Sequence, residues 1–184
     1  MEQIKTSTLS VLTENEVGLT QRVVTAFTRR KINIESFTAS ETENKGIFRF
    51  TIVVHTTDNK IQQTARSLET ILEVFRVVIY EDKDLVYQEL ALYKIPTKAV
   101  LEGSQIETIV RANNARILHI GKEYTIIEKT GHKEKTQELF DQLKPYNVLG
   151  FSRSGRIALT NLRMDEVNKF LHKQLAKEPT SYHG

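Results

Sequence analysis

The sequence predicts an α+β protein made of two βαββαβ units, and three observations carry that prediction. Residues 47–55 alternate with a period of two, Phe48, Phe50, Ile52 and Val54 on one side and Arg49, Thr51, Val53 and His55 on the other. That is the pattern of a strand with one face in a core. Residues 17–30 and 58–72 repeat their apolar positions every three or four residues instead, as a helix packed along one stripe does. The same order of element types then returns beyond a short charged connector, Glu81-Asp82-Lys83-Asp84.

Taken in order, Thr6–Thr13 is a strand and Val17–Arg30 a helix with Val23, Val24, Ala26 and Phe27 on or beside its apolar stripe. Asn33–Glu41 is the second strand. The turn Glu43-Asn44-Lys45-Gly46 supplies the asparagine and glycine that tight hairpins favour, and Ile47–His55 is the third strand. Asp58 is placed to cap the second helix, whose Ile61, Ala65, Leu68 and Leu72 share a face, and Val74–Tyr80 closes the unit. Two strand–helix–strand crossovers joined by a hairpin make a ferredoxin-like unit: four antiparallel strands with both helices on one face. The other face must be wet or covered by something else.

The second unit is less regular. It runs through a strand at 86–95 ended by Pro96, a short helix at 103–113, a strand pair at 116–121 and 123–129, a helix at 133–143 and a strand at 148–153. A last β-run, Gly155–Thr160, follows the turn at Arg153-Ser154-Gly155. The tail 164–177 is amphipathic, with Met164, Val167, Leu171 and Leu175 on one stripe and Pro179 ending it. Its few lysines (Lys169, Lys173, Lys177) favour packing on a protein surface over membrane anchoring. The expected domains are therefore 5–82, 86–161 and a helical tail, 162–184.

Composition excludes several classes. With 39% hydrophobic and 27% charged residues among 184, the chain is an ordinary globular protein. It has no cysteine, hence no disulfide or thiolate metal site, which fits a reducing compartment. No apolar run reaches the roughly 20 residues a bilayer requires, and MEQIKTST lacks a signal-peptide layout, so a cytoplasmic protein is expected. The first 95 residues carry 12 basic and 13 acidic side chains and the rest 14 and 10, a mild bias that reads as solvated surface. No RNP-like aromatic string or zinc-finger spacing points to nucleic acid.

Catalytic constellations are missing as well. His55, His119, His132, His172 and His183 are scattered, with no metal-ligand spacing. Glu14 and Glu16 read as acids drawn to a helix start by its dipole. GFSRSG (150–155) has arginine where a nucleophile elbow needs serine.

What remains is the stretch Leu9–Ser40, LSVLTENEVGLTQRVVTAFTRRKINIESFTAS. Gly18 at a helix start lets a ligand come close to free N–H groups, which with the helix dipole favour a carboxylate. Asn33 offers a donor and an acceptor to a zwitterion. A plainer reading makes Asn15 an N-cap, Gly18 a turn glycine and Asn33 an edge residue facing water. On local chemistry the two stand level.

The same residues carry a resemblance. Glu14-Asn15-Glu16-Val17-Gly18, Arg30 and Asn33-Ile34-Glu35-Ser36-Phe37 are similar to the ENxxG loop, helix end and NIESL-like strand that open the regulatory small subunits of acetohydroxyacid (acetolactate) synthase. The resemblance continues through Phe75-Arg76-Val77 and Glu89–Ile95 to Arg153-Ser154-Gly155, similar to that family's ARSG motif, and covers about residues 7–160. It implies an N-terminal ACT domain, a C-terminal ACT-like domain, and a homodimer with branched-chain amino acids bound between ACT domains. It further implies no catalysis in this chain, no cofactor of its own, and activation and feedback control of a separate catalytic large subunit that uses thiamine diphosphate, Mg and FAD. Carried over, the effector site is Asn15, Val17, Gly18 and Leu19 of one chain with Asn33 and Ile34 of its partner. Valine is the expected ligand, with leucine and isoleucine overlapping. Neither nucleic acid nor membrane is an expected partner.

Two positions depart from the family pattern. Lys31 stands where members often have glycine (RGYNI), and Thr20 where they often have an aliphatic residue. The rival readings are a stand-alone ACT sensor serving another enzyme of amino-acid metabolism and, from a different class, an RNA-binding module using the open sheet face.

Overall fold

The computed structural model describes residues 3–102, 104–163 and 166–176. The chain divides into two compact units, one formed by the described residues up to Val86 together with those from Ala158, the other by Tyr87–Ile157.

In the first unit the elements are β1 (Lys5–Glu14), α1 (Leu19–Thr28), β2 (Ile34–Glu41), β3 (Ile47–Thr56), α2 (Asp58–Glu69) and β4 (Val74–Tyr80). The four strands form an antiparallel sheet in the order β2-β3-β1-β4. Its core lies between sheet and helices. Leu9 and Val11, Phe50, Ile52 and Val54, and Val77 meet Val23 and Phe27 of α1 and Ile61 and Leu68 of α2. The alternation expected for β3 is therefore the observed one.

Local chemistry trims several sequence boundaries. The first helix begins at Leu19 rather than Val17, because Gly18 sits left-handed at φ 83° and acts as its N-cap. Thr57, not Asp58, is the N-cap of α2, and no side chain caps it; the Asp58 carboxylate instead pairs with Lys5 Nζ at 2.7 Å. Leu72 does not join the core. The helix stops at Glu69, and the turn that follows leaves Leu72 91% exposed.

The end of α1 explains one of the sequence departures. Ile32 N–H donates to Phe27 O at 3.1 Å and Lys31 N–H to Thr28 O at 2.9 Å. These are the paired bonds of a Schellman motif, closed by contact between Ile32 and Phe27 in the core. Such a motif needs a left-handed residue, and Lys31 occupies it at φ 54°. Glycine fits that position without strain.

The back of this sheet is covered by the chain itself. After β9 (Ile157–Thr160), helix α6 (Glu166–Leu175) lays Val167 and Leu171 onto Leu12, with Phe75, Val78, Ile47 and Phe170 packed around them. Phe170 stacks on Phe75 with ring centroids 5.5 Å apart, Glu166 pairs with Arg76 at 3.0 Å, and Asn44 Nδ2, buried in the hairpin turn, donates to Leu171 O at 2.9 Å. The expected stripe thus does meet a protein surface at Val167 and Leu171; Met164, Lys177 and Pro179 lie outside the described residues. No helix among the described residues is long and apolar enough to cross a membrane.

The second unit repeats the topology. Strands β5 (Leu85–Pro96), β6 (Arg116–Ile120), β7 (Tyr124–Gly131) and β8 (Gly150–Arg153) stand in the order β6-β7-β5-β8, with helices α3 (Thr97–Leu101), α4 (Ser104–Ala112) and α5 (Lys133–Leu143). The helix expected at 103–113 is α4, and α3 is a further short helix just before it. Tyr93, Ile95, Ile106, Ile127, Leu139 and Leu143 form the core, and the Tyr93 hydroxyl donates to Thr136 O at 2.6 Å. The expected fold class, α+β with two ferredoxin-like units, is the observed one.

Candidate functional site

Residues 15–18 link β1 to α1 at one end of the first sheet. Asn15, Val17 and Gly18 are exposed, Val17 at 97%, whereas the Leu19 side chain is buried in the core. A Cβ built on Gly18 would meet no atom within 4 Å, so open space lies before the helix start. The Leu19 N–H is already used, donating to Glu16 O at 3.2 Å, and Gly18 O accepts from Arg22 N–H at 3.2 Å. With no side-chain cap on α1, the N–H groups of Thr20 and Gln21 face solvent or a ligand, in the positive field of the helix start. The plainer reading of Asn15 as an N-cap is thereby excluded: Gly18 holds that position, and Asn15 makes no cap hydrogen bond.

The loop is held from below. Glu14 N–H donates to Glu73 O at 2.9 Å, and the Glu73 carboxylate pairs with Arg22 of α1 at 2.7 Å. The Arg22 hydrogen bond holds the Glu73 carboxyl below the usual carboxylate range. Sequence reasoning missed this brace, because nothing local links residue 73 to residue 22.

Asn33 and Ile34 stand elsewhere. Asn33 is exposed and Ile34 is half-buried at the start of β2, where the register pairs Ile34 with Val54 and Val54 with Ser7. Glu14, at the loop, pairs with Ile47 at the far end of the sheet. Seven residues of strand at about 3.3 Å each separate the two ends by roughly 20 Å. One chain therefore does not bring Gly18 and Asn33 together. The outer edge of β2 is unpaired in the sheet order, and Lys31 precedes Asn33 by two residues.

Among the described residues no group of His, Asp and Glu could hold a metal ion. His55 pairs with Glu35, and His132 stacks on Tyr87 with centroids 4.2 Å apart. In the second unit burial pushes the Glu89 carboxyl up, opposed by the charges of Arg153 and Arg156. Arg153 is engaged in structure, donating to Gln137 Oε1 at 2.9 Å, while Ser154 N–H donates to Leu90 O and Ser154 Oγ accepts from Leu90 N–H.

Comparison with known proteins gives the family. Residues 9–76 match a family model described as an AHAS small subunit-like ACT domain, and residues 88–162 match one described as the small subunit of acetolactate synthase. The acetolactate synthase small subunit of Mycolicibacterium smegmatis is 36% identical over 155 residues, 84% of this chain and 91% of that protein. That of Bacillus subtilis is 32% identical over 152 residues, covering 82% and 87%. The crystal structure of the small subunit from Thermotoga maritima superposes with a TM-score of 0.79 at 28% identity, over 88% of this chain and all of that one. The chain belongs to the acetolactate synthase small-subunit family, ACT-containing regulatory subunits.

Proposed function

We propose that this chain is a non-catalytic regulatory subunit that activates the catalytic large subunit of acetolactate synthase in the cytoplasm and makes it sensitive to branched-chain amino acids, valine first. Thiamine diphosphate, Mg and FAD belong to the large subunit, and this chain carries no cofactor. One observation carries the reading: an uncapped helix start with open space before Gly18, at the opposite end of the sheet from Asn33.

A homodimer resolves that separation. Antiparallel pairing of two β2 edges across a two-fold axis sets the start of one β2 beside the end of the other, the end at which the partner's β1–α1 loop lies. The ligand carboxylate then accepts from the first-turn N–H groups beyond Gly18, with Asn15, Val17 and Leu19 shaping the loop. Asn33 of the second copy orients the ammonium, and Ile34 favours an aliphatic side chain. One methylene is worth only about 1–3 kcal/mol in such a pocket, so valine, leucine and isoleucine overlap. The β2 edge, rather than the sheet's back face, supports pairing, since α6 already lies on that back.

The test mixes the chain with its cognate large subunit. The chain alone turns over no pyruvate, and its addition raises the large subunit's rate several-fold. Gly18→Asp places a carboxylate where the ligand's own must sit. It abolishes valine inhibition while activation survives, and Asn33→Ala weakens valine binding in calorimetry. Unchanged valine binding in both variants would misplace the site; an unchanged large-subunit rate at saturation would sink the assignment.

A further inference from the structure

The start of β2 is not a regular strand. Ile34 stands opposite Val54 and Ser36 opposite Val53, so the register slips at Glu35, between the two. A bulge of this kind bends its strand and re-aims the side chains beside it. Those side chains belong to Asn33 and Ile34, and β2 is the edge strand of its sheet. The ladder holds such an edge from one side only, so whatever fixes Glu35 also sets its neighbours.

The side chain that fixes it is His55. Its Nε2 bonds the Glu35 carboxylate, and its Nδ1 lies 2.9 Å from Thr6 Oγ. One imidazole thus ties three strands, since β3 runs between β1 and β2 and the register sets Thr6 opposite His55. From β2 the charged group that meets it is Glu35. On β1 the adjacent charge, Lys5, is committed to Glu81 and to Asp58 at the start of α2.

Both bonds persist when the ring changes charge. A neutral imidazole donates from Nε2 to the carboxylate and accepts the Thr6 hydroxyl at Nδ1. An imidazolium donates from both nitrogens, and the hydroxyl turns to accept. What changes is the attraction, because protonation converts a hydrogen bond to a carboxylate into an ion pair. Histidine is the side chain that makes this change between about pH 5 and 8.

We propose that His55 is a positioning residue for the effector site: through Glu35 it sets where Asn33 and Ile34 meet the Gly18 loop of a second copy, and its protonation tightens valine binding. The inference rests on the reading of Gly18 and Asn33 as the valine site. The ring touches no ligand itself. It acts on the one half of that site that lies on an edge strand.

The experiment uses the full-length protein and His55→Gln, which keeps a donor near the Nε2 position and carries no charge. Without ligand, the Asn33 and Ile34 amide resonances move with the same pH midpoint as the His55 ring protons, and that movement is lost in His55→Gln. Calorimetry gives valine binding about threefold tighter near pH 6 than near pH 8, the scale of a partly exposed ion pair. His55→Gln removes the difference, and so does Glu35→Gln, whereas His55→Ala weakens binding at both pH values. Every other titrating group, valine's own included, cancels in the comparison of wild type with His55→Gln. An unchanged pH dependence in that variant, or amides that ignore the ring, would overturn the inference and leave the valine site standing. Failure of wild type to bind valine at either pH would overturn both.

Discussion

Arg22 and Glu73 pair at 2.7 Å across the end of the first unit, joining α1 to the turn that leads into β4. The same glutamate accepts the Glu14 N–H on its backbone carbonyl, so one residue steadies both the helix and the loop before it. Two and three residues further on, Phe75 and Arg76 hold α6 on the opposite face.

Glu73→Gln removes the charge from this brace while keeping its shape. If the loop is the effector site, half-inhibition moves to about threefold higher valine, the scale of one partly exposed ion pair. Maximal activation of the large subunit stays unchanged. Inhibition curves for wild type and variant, measured at equal saturation of the large subunit, decide it.

Lys31→Gly relieves a left-handed lysine. A side chain costs roughly 1–2 kcal/mol in that conformation, and the added freedom of glycine in the unfolded chain returns about 0.4–1 of it. The expected net gain is about 1 kcal/mol or less, seen as a higher urea midpoint with unchanged slope. A loss of stability would mean that Lys31 makes a contact outweighing its strain.

Acid sensitivity follows from Glu81 and Glu73. The Lys5 and Lys83 ammonium groups lower the Glu81 carboxyl to about 2, and Arg22 lowers that of Glu73. A carboxyl lowered in the folded state contributes stability above its unfolded pKa, near 4.5, and that contribution disappears as pH falls toward 2. Melting temperature should therefore be flat near neutrality and fall below about pH 4.5. Glu81→Gln flattens that descent. At the other extreme Lys5, raised by Asp58 and then Glu81, supports the fold until pH climbs past 10.5. A pH series of melting curves on both proteins tests the pair.

Leu171→Ala empties the centre of the tail contact. Leu171 is fully buried against Leu12, and truncations of this kind cost about 2–4 kcal/mol. Lys173→Ala, on the exposed side of α6, leaves the denaturation midpoint unmoved. Equal effects from both would show that α6 adds nothing to the first unit.

Much of this was legible from residue types alone. The period-two run around Phe50 and Ile52, the helical face of Ile61, Ala65 and Leu68, and the Asn-Gly turn at 43–46 are local signals, and each matches the observed element. Leu72 misled because a helical period continues on paper past Glu69, where the chain has already turned toward β4. Thr51 stands on the face expected to be wet or covered by something else, since polar alternation records which side of a strand faces away from the main core and nothing about what settles there later. What covers that face is α6, more than a hundred residues away in the chain. Gly18 and Asn33 were found as residues; that they lie at opposite ends of one sheet required the register.

Because α6 returns to the first sheet, that sheet is not finished when its own four strands have been made. Tyr80 leaves the ribosome before Glu166 by 86 residues, or on the order of ten seconds of synthesis. Throughout that interval Leu12, Phe75 and Val78 are bare on a nascent chain that already has its helices in place. A cell making this protein has to keep that surface from neighbouring polysomal chains, and a messenger truncated before codon 166 yields an adhesive product.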